Sequence, residues 1–126
     1  MGEWWWDKYY NSKEYFLVYG ALIQAAQLRG TVTYQKVAEL IGVPARGSFM
    51  ARETGGVLGA ISQNEMNNGR PMLSAVAVGV SGRPGDGFFN GARELGRLHG
   101  DCREAEDQFW GEEKQAVYRE WKLRTG

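Results

Sequence analysis

Thr31-Val32-Thr33-Tyr34-Gln35-Lys36-Val37-Ala38-Glu39-Leu40-Ile41-Gly42-Val43-Pro44 is the stretch from which the fold can be read. Thr31 to Thr33 is short and β-branched, which predicts a brief strand. Thr33 then predicts the cap of a helix running through Ile41, because a hydroxyl there accepts from a free amide of the first turn. Val37, Leu40 and Ile41 fall on one inward face. Gly42 stops the helix and Pro44 blocks its continuation.

Upstream, Tyr15, Val18, Tyr19, Leu22, Ile23 and Ala26 recur at three- and four-residue steps. That spacing predicts an amphipathic helix opening at Ser12 and ending at Gly30. Downstream, a third helix is predicted from near Ser48 to about Met66. Its middle, Gly55-Gly56-Val57-Leu58-Gly59-Ala60, holds three glycines, each costing a helix about 1 kcal/mol relative to alanine. They predict a close approach of another backbone or a functional approach. Asn67-Asn68-Gly69 is a turn, and Leu73 to Val80 reads as a buried strand. Ser81 to Gly87 is a loop dense in turn formers, leading through Phe88 and Phe89 into a short helix ending at Leu98. Asp101, with Glu104 three residues on, predicts the capped start of a last helix with Ala105, Phe109, Ala116, Val117 and Trp121 as its apolar stripe.

This order predicts the α+β class: a mostly helical, winged helix-turn-helix-like domain with a small β-hairpin or sheet. Thr33 to Met66 would be the helical pair and Ser81 to Gly87 the wing, with a plain three-helix core plus one hairpin as the alternative. One domain over residues 1–126 is expected: an aromatic N-terminal arm (1–11), a core (12–98) and a C-terminal helix (101–123).

With 43% hydrophobic and 24% charged residues, the chain is a folded globular one rather than a disordered one. Fifteen basic and fifteen acidic side chains cancel, so no global field draws it to nucleic acid or membrane. Between Arg29 and Arg97, however, eight basic residues face five acidic ones, a local excess compatible with DNA contact. Cys102 is the only cysteine, so no internal disulfide forms. Apolar runs fall short of the roughly 18 residues of a membrane span. Glu3 and Asp7 flank Trp4, Trp5 and Trp6 without a basic start, unlike a secretory signal, and the cytoplasm is the expected location.

The strand-and-helix stretch Val32 to Pro44 resembles the "V-T-Y-x-x-(I/L)-A-x-(L/A)-x-G-x-P" motif of the alkylguanine-DNA alkyltransferases and their alkyltransferase-like relatives. Arg52-Glu53-Thr54-Gly55-Gly56 resembles their "R-A-V-G-x", and Gly82 with Gly85 to Gly87 their glycine-bearing wing. Arg70-Pro71-Met72-Leu73-Ser74-Ala75-Val76 stands in the place of their "I-P-C-H-R-V-V". The similarity runs from about Val18 to Phe89. It implies a winged helix that binds the minor groove and flips a nucleotide. Tyr34 would match the tyrosine at the phosphate of that nucleotide, and Arg52 the arginine that fills the vacated stack. Taken without the resemblance, Tyr34 also reads as a helix-start core aromatic, and Arg52 as a solvated charge paired with Glu39 or Glu53.

Two departures matter. Four extra residues separate Pro44 from Arg52, about one helical turn. Met72 and Leu73 replace the family's nucleophilic cysteine and its histidine, and a thioether forms no thiolate, so alkyl transfer is excluded on this reading.

Other constellations are weaker. His99 and Cys102 flank a helix boundary and read as an interhelical loop, and one histidine with one cysteine cannot complete a zinc site. Arg70, Ser74, Arg83 and Asp86 with glycine-rich amides could cradle an anion, or simply be turns with surface charges. Glu104, Glu106, Asp107, Glu112 and Glu113 fit a solvated helix face.

The expected function is therefore non-enzymatic binding of duplex DNA through Tyr34, Arg46, Arg52, Arg70 and Arg83, with no catalytic residue, metal or cofactor. A protein partner or homodimer, using Trp4, Trp5, Trp6 and the last helix, is the alternative. A small-molecule or nucleotide-binding enzyme using Ser74, Arg70, Asp86 or His99 is the lesser one.

Overall fold

The computed structural model describes residues 8–124, so Trp4, Trp5 and Trp6 lie outside the described residues. The elements run α1 (Lys13–Gln27), β1 (Val32–Thr33), α2 (Tyr34–Ile41), α3 (Gly47–Asn67), a 3₁₀ turn (Leu73–Val76), β2 (Ala77–Val78), α4 (Asp86–Glu94) and α5 (Arg103–Trp121). The class is α+β, mostly helical. Its sheet is two parallel strands, with Val32 opposite Ala77 and Thr33 opposite Val78.

The first half of the chain follows local rules. The Ser12 hydroxyl accepts from the Tyr15 amide at 3.1 Å and starts α1. Thr33 Oγ1 accepts from the Lys36 amide at 3.1 Å and starts α2. Gly42 ends α2 with φ 78°, a left-handed cap. The end of α1 differs from expectation: Arg29, not Gly30, takes the left-handed conformation, with φ 55°. The Gly30 and Arg29 amides close on the Ala25 and Ala26 carbonyls, so the six-residue closure is satisfied one residue early.

The second half departs further. The segment read as a strand from Leu73 to Val80 is a 3₁₀ turn followed by only two strand residues. Side chains from neighbouring helices take the place of a strand ladder. The Met72 amide donates to Glu113 at 2.8 Å, the Ser74 amide to the Ser62 hydroxyl at 3.2 Å, and Trp110 Nε1 donates to the Ala75 carbonyl at 2.9 Å. Backbone groups satisfied this way need no partner strand. The expected wing, Ser81 to Gly87, is a compact turn closed by the Gly79 amide on the Arg83 carbonyl and leads into α4 instead of a second strand. α4 starts earlier than expected and stops before Gly96, whose φ is 75°. α5 is capped by Cys102 without a side-chain bond, so the Asp101–Glu104 capping box does not form.

Leu22, Ile61, Leu73, Val76, Phe89 and Val117 fill the core. Three carboxylates are buried with them. Glu65, with 0% of its surface exposed, accepts from the Tyr19 hydroxyl and from Arg70 Nε and Nη2 at 3.0 and 2.7 Å. Glu53 accepts from Tyr9 Oη at 2.6 Å and pairs with Lys8 at 2.5 Å, which together hold its pKa below the usual carboxylate range. Glu113 pairs with Arg97, so it does not belong to a solvated face as the α5 pattern predicts.

Arg70→Ala leaves the Glu65 carboxylate buried without its cation. Urea unfolding should show a loss of about 3–5 kcal/mol at unchanged m-value, with most of it recovered in a Glu65→Met, Arg70→Met double variant.

Candidate functional site

The long helix α3 and the short helix α4 leave a cleft of about 630 Å³ between them. Two rows of α3 face it, each at the four-residue spacing that lines one side of a helix. One is Met50, Thr54, Leu58 and Ser62; the other is Ala51, Gly55, Gly59 and Gln63. The glycines explain the width. Gly56 is buried on the far side, whereas Gly55 and Gly59 border the cleft, so two of the three glycines open a space rather than admit another backbone. Across it, α4 contributes Gly87 and Gly91, where an added Cβ would meet nothing within 4 Å. Met72, Ser74 and Phe88, all buried, also line the cleft.

Tyr34 lines the cleft as well, at the first residue of α2. Its hydroxyl oxygen accepts from the Gly85 amide at 2.7 Å, tying α2 to the start of α4. Gly79 and Gly85 lie against its ring, and a Cβ on either would come within 3.6 Å of it. Burial raises the Tyr34 pKa above the ordinary tyrosine value, opposed in part by the Gly85 amide. The phenol is therefore neutral at physiological pH, and among the described residues its proton has no acceptor.

Beside the cleft, the first turns of α3 are open. Arg46 caps the helix with extended backbone and no side-chain bond to its amides, which leaves a positively polarised helix end. Arg52 has 64% of its side chain exposed and only a long 3.4 Å contact with Glu53. Its guanidinium lies 5.5 Å from the ring centre of Phe49, itself 47% exposed. Met50 and Ala51, between them in sequence, line the cleft.

The other two arginines read from the sequence are engaged elsewhere. Arg70 is held by Glu65 and stacked 5.5 Å from Trp121. Arg83 is held by Asp107 at 2.6 Å and Glu106 at 3.6 Å and lies 4.8 Å over Phe89. Arg52, Arg70 and Arg83 pair with different carboxylates: Glu53, Glu65, and Asp107 with Glu106. The anion cradle does not form, since Ser74 bonds Ser62 and the Gly85 amide bonds Tyr34. His99 and Cys102 are both exposed. Among the described residues no group of three or more His, Cys, Asp or Glu is placed to hold a metal ion, and no helix is long and apolar enough to cross a membrane.

Sequence reasoning missed most of the cleft. Met50, Ser62 and Asn90 carry no motif, and only the i, i+4 rows could have marked them. Comparison with known proteins returns no match: no family model, no curated protein and no solved structure aligns with the chain.

Because its folded pKa is raised, Tyr34 contributes stability that is fully present below the ordinary tyrosine pKa of about 10 and is lost as pH rises past it. In a tyrosinate absorbance titration, Tyr34→Phe should remove a component that titrates above that value. Loss of an ordinary component would place Tyr34 in solvent.

Proposed function

We propose that the protein is a non-enzymatic domain that binds nucleic acid in the manner of a winged helix, with the Ser81–Gly87 turn in the place of the wing, an alkyltransferase-like layout and no alkyl transfer. The observation that carries the reading is the open start of α3, where Arg46, Phe49 and Arg52 flank a cleft lined by Tyr34. Free amides at a helix start attract phosphate, and Arg46 adds a formal charge to that end. Arg52 over Phe49 pairs a planar cation with an aromatic face, the combination on which bases stack. Arg70 and Arg83 are left out of the contact set because carboxylates already neutralise them. Met72, 3% exposed in the cleft wall, supplies no thiolate, which supports binding without transfer.

A protein partner is the second reading, and α1 favours it over the last helix. From Tyr15 to Leu28 the chain has no charged residue, and Phe16, Leu17 and Leu28 are exposed. The apolar side of α5, by contrast, packs in the protein's own core through Val117, Tyr118, Phe109 and Trp121.

Fluorescence anisotropy with labelled duplex across a salt series tests the first reading. Binding should weaken steeply with salt, and an Arg46→Ala, Arg52→Ala double variant should bind more weakly, with the log–log slope lowered by about 0.9 for the phosphate contact at Arg46. Absent binding to duplex, damaged and single-stranded DNA, or an unchanged double variant, contradicts it.

A further inference from the structure

We propose that the outer face of α1 is a self-pairing surface: two copies of the chain meet there, their α1 helices antiparallel and crossing at Gly20. This rests on the partner reading of α1, names the partner, and is independent of nucleic acid.

The first observation is a glycine that the domain itself does not require. Tyr15, Val18, Leu22 and Ala26 turn one side of α1 into the core. On the opposite side Lys13, Phe16, Leu17, Gly20 and Gln24 are all exposed, and Leu28 follows at the cap. Steps of three and four residues keep them on one stripe. Phe16, Leu17 and Leu28 have 55%, 46% and 72% of their surface in solvent, and Lys13 is the stripe's only charge. A Cβ on Gly20 would meet nothing within 4 Å, so among the described residues no close contact calls for a glycine there. Yet glycine is the costliest residue after proline in a helix interior. A second helix laid across it supplies the reason, because a missing side chain lets two helix axes approach to about 8 Å.

The second observation is electrostatic, and it selects a second copy as the occupant. Lys13 opens α1, where its charge opposes the positive end of its own helix dipole. The last turn of α1 holds no basic residue, and Arg29, just beyond it, turns away to Gln115 and Tyr118. A twofold axis at Gly20 lays that glycine on its own copy and sets Lys13 opposite Gln27, at the bare end of the other α1. Each lysine then meets the negative end of a dipole, and Phe16 and Leu17 fall beside the other copy's Gln24, whose stem is apolar. A parallel pair would instead bring the two lysines together. Fifteen basic and fifteen acidic side chains leave no net charge to hold the copies apart. Fifteen residues make α1 about 22 Å long. One helix face of that length falls well short of the roughly 800 Å² per partner of a standard interface, so the pairing is weak.

Sedimentation equilibrium of the full chain from about 10 µM to about 1 mM tests this. The average mass should climb from monomer toward dimer, with a dissociation constant on the order of 100 µM. Gly20→Leu, at an exposed helix position with open space, should keep the circular dichroism and melting temperature of the unaltered chain and remain monomeric. Lys13→Glu should weaken pairing about fivefold. Oxidative cross-linking reads the orientation, in a Cys102→Ser background because Cys102 is exposed. Gly20→Cys should give a disulfide dimer. Leu28→Cys should not, since the axis holds the two copies of that position about 24 Å apart. A chain that is monomeric at the highest concentration overturns the proposal. So does pairing that survives Gly20→Leu, or cross-linking through Leu28→Cys as efficient as through Gly20→Cys. A monomer would leave the α1 face to a different protein, so the partner reading outlives the failure of this one, and duplex binding is read separately by anisotropy.

Discussion

The carboxylate of Glu65 has no exposed surface, and Tyr19 and Arg70 hold it there. An isolated buried charge would cost several kcal/mol, so α3 can occupy the middle of the domain only with α1's tyrosine and the following loop's arginine in place. Glu53, twelve residues earlier on α3 and so about 18 Å along it, repeats the arrangement with Tyr9 and Lys8. Polar locks therefore fix α3 at two levels. Val57 and Ile61, both fully buried, fill the apolar contact around them.

A helix pinned on its inner side is free to do something different on the other. Gly55 and Gly59 remove side chains from the row that looks toward α4, and the Tyr34 hydroxyl, bonded to Gly85, keeps α4's start at a fixed place. The cleft is the gap left by those two choices. Its stiffness comes from α3, and its polarity comes from α4. The cationic start of α3 and the acidic edge of α4 are thus two differently charged parts of the surface around the cleft.

What the sequence made legible follows from the range of the forces involved. α1, α2 and α3, the Thr33 cap and the Gly42 stop rest on contacts within about one helical turn, and apart from the end of α1 they stand where the pattern predicts. Tyr34 stands at a helix start and Arg52 on an open flank. The segment from Leu73 to Val80 misled because its apolar composition suits a strand, while its backbone bonds come from Ser62 and Glu113, far away in sequence. Arg70 pairs with Glu65 only five positions back, across the turn at Asn68 and Gly69, whereas Arg83 looked free because its partner is distant. Arg83's partner Asp107 lies 24 positions on, a distance no local pattern reports. Glu113 sits among charged neighbours on α5, and only its tertiary contacts with Met72 and Arg97 reveal it as buried.

The central claim is that the start of α3 and the adjoining cleft form one nucleic-acid-facing surface. Amide chemical-shift mapping during titration with a short DNA duplex tests it most directly. The account expects the largest shifts at Ser48 to Ala51, Tyr34 and Gly85 to Gly91, with the Arg70 and Arg83 neighbourhoods little changed. Shifts confined to Phe16, Leu17 and Leu28 on α1, or no shifts at any duplex concentration, would contradict it.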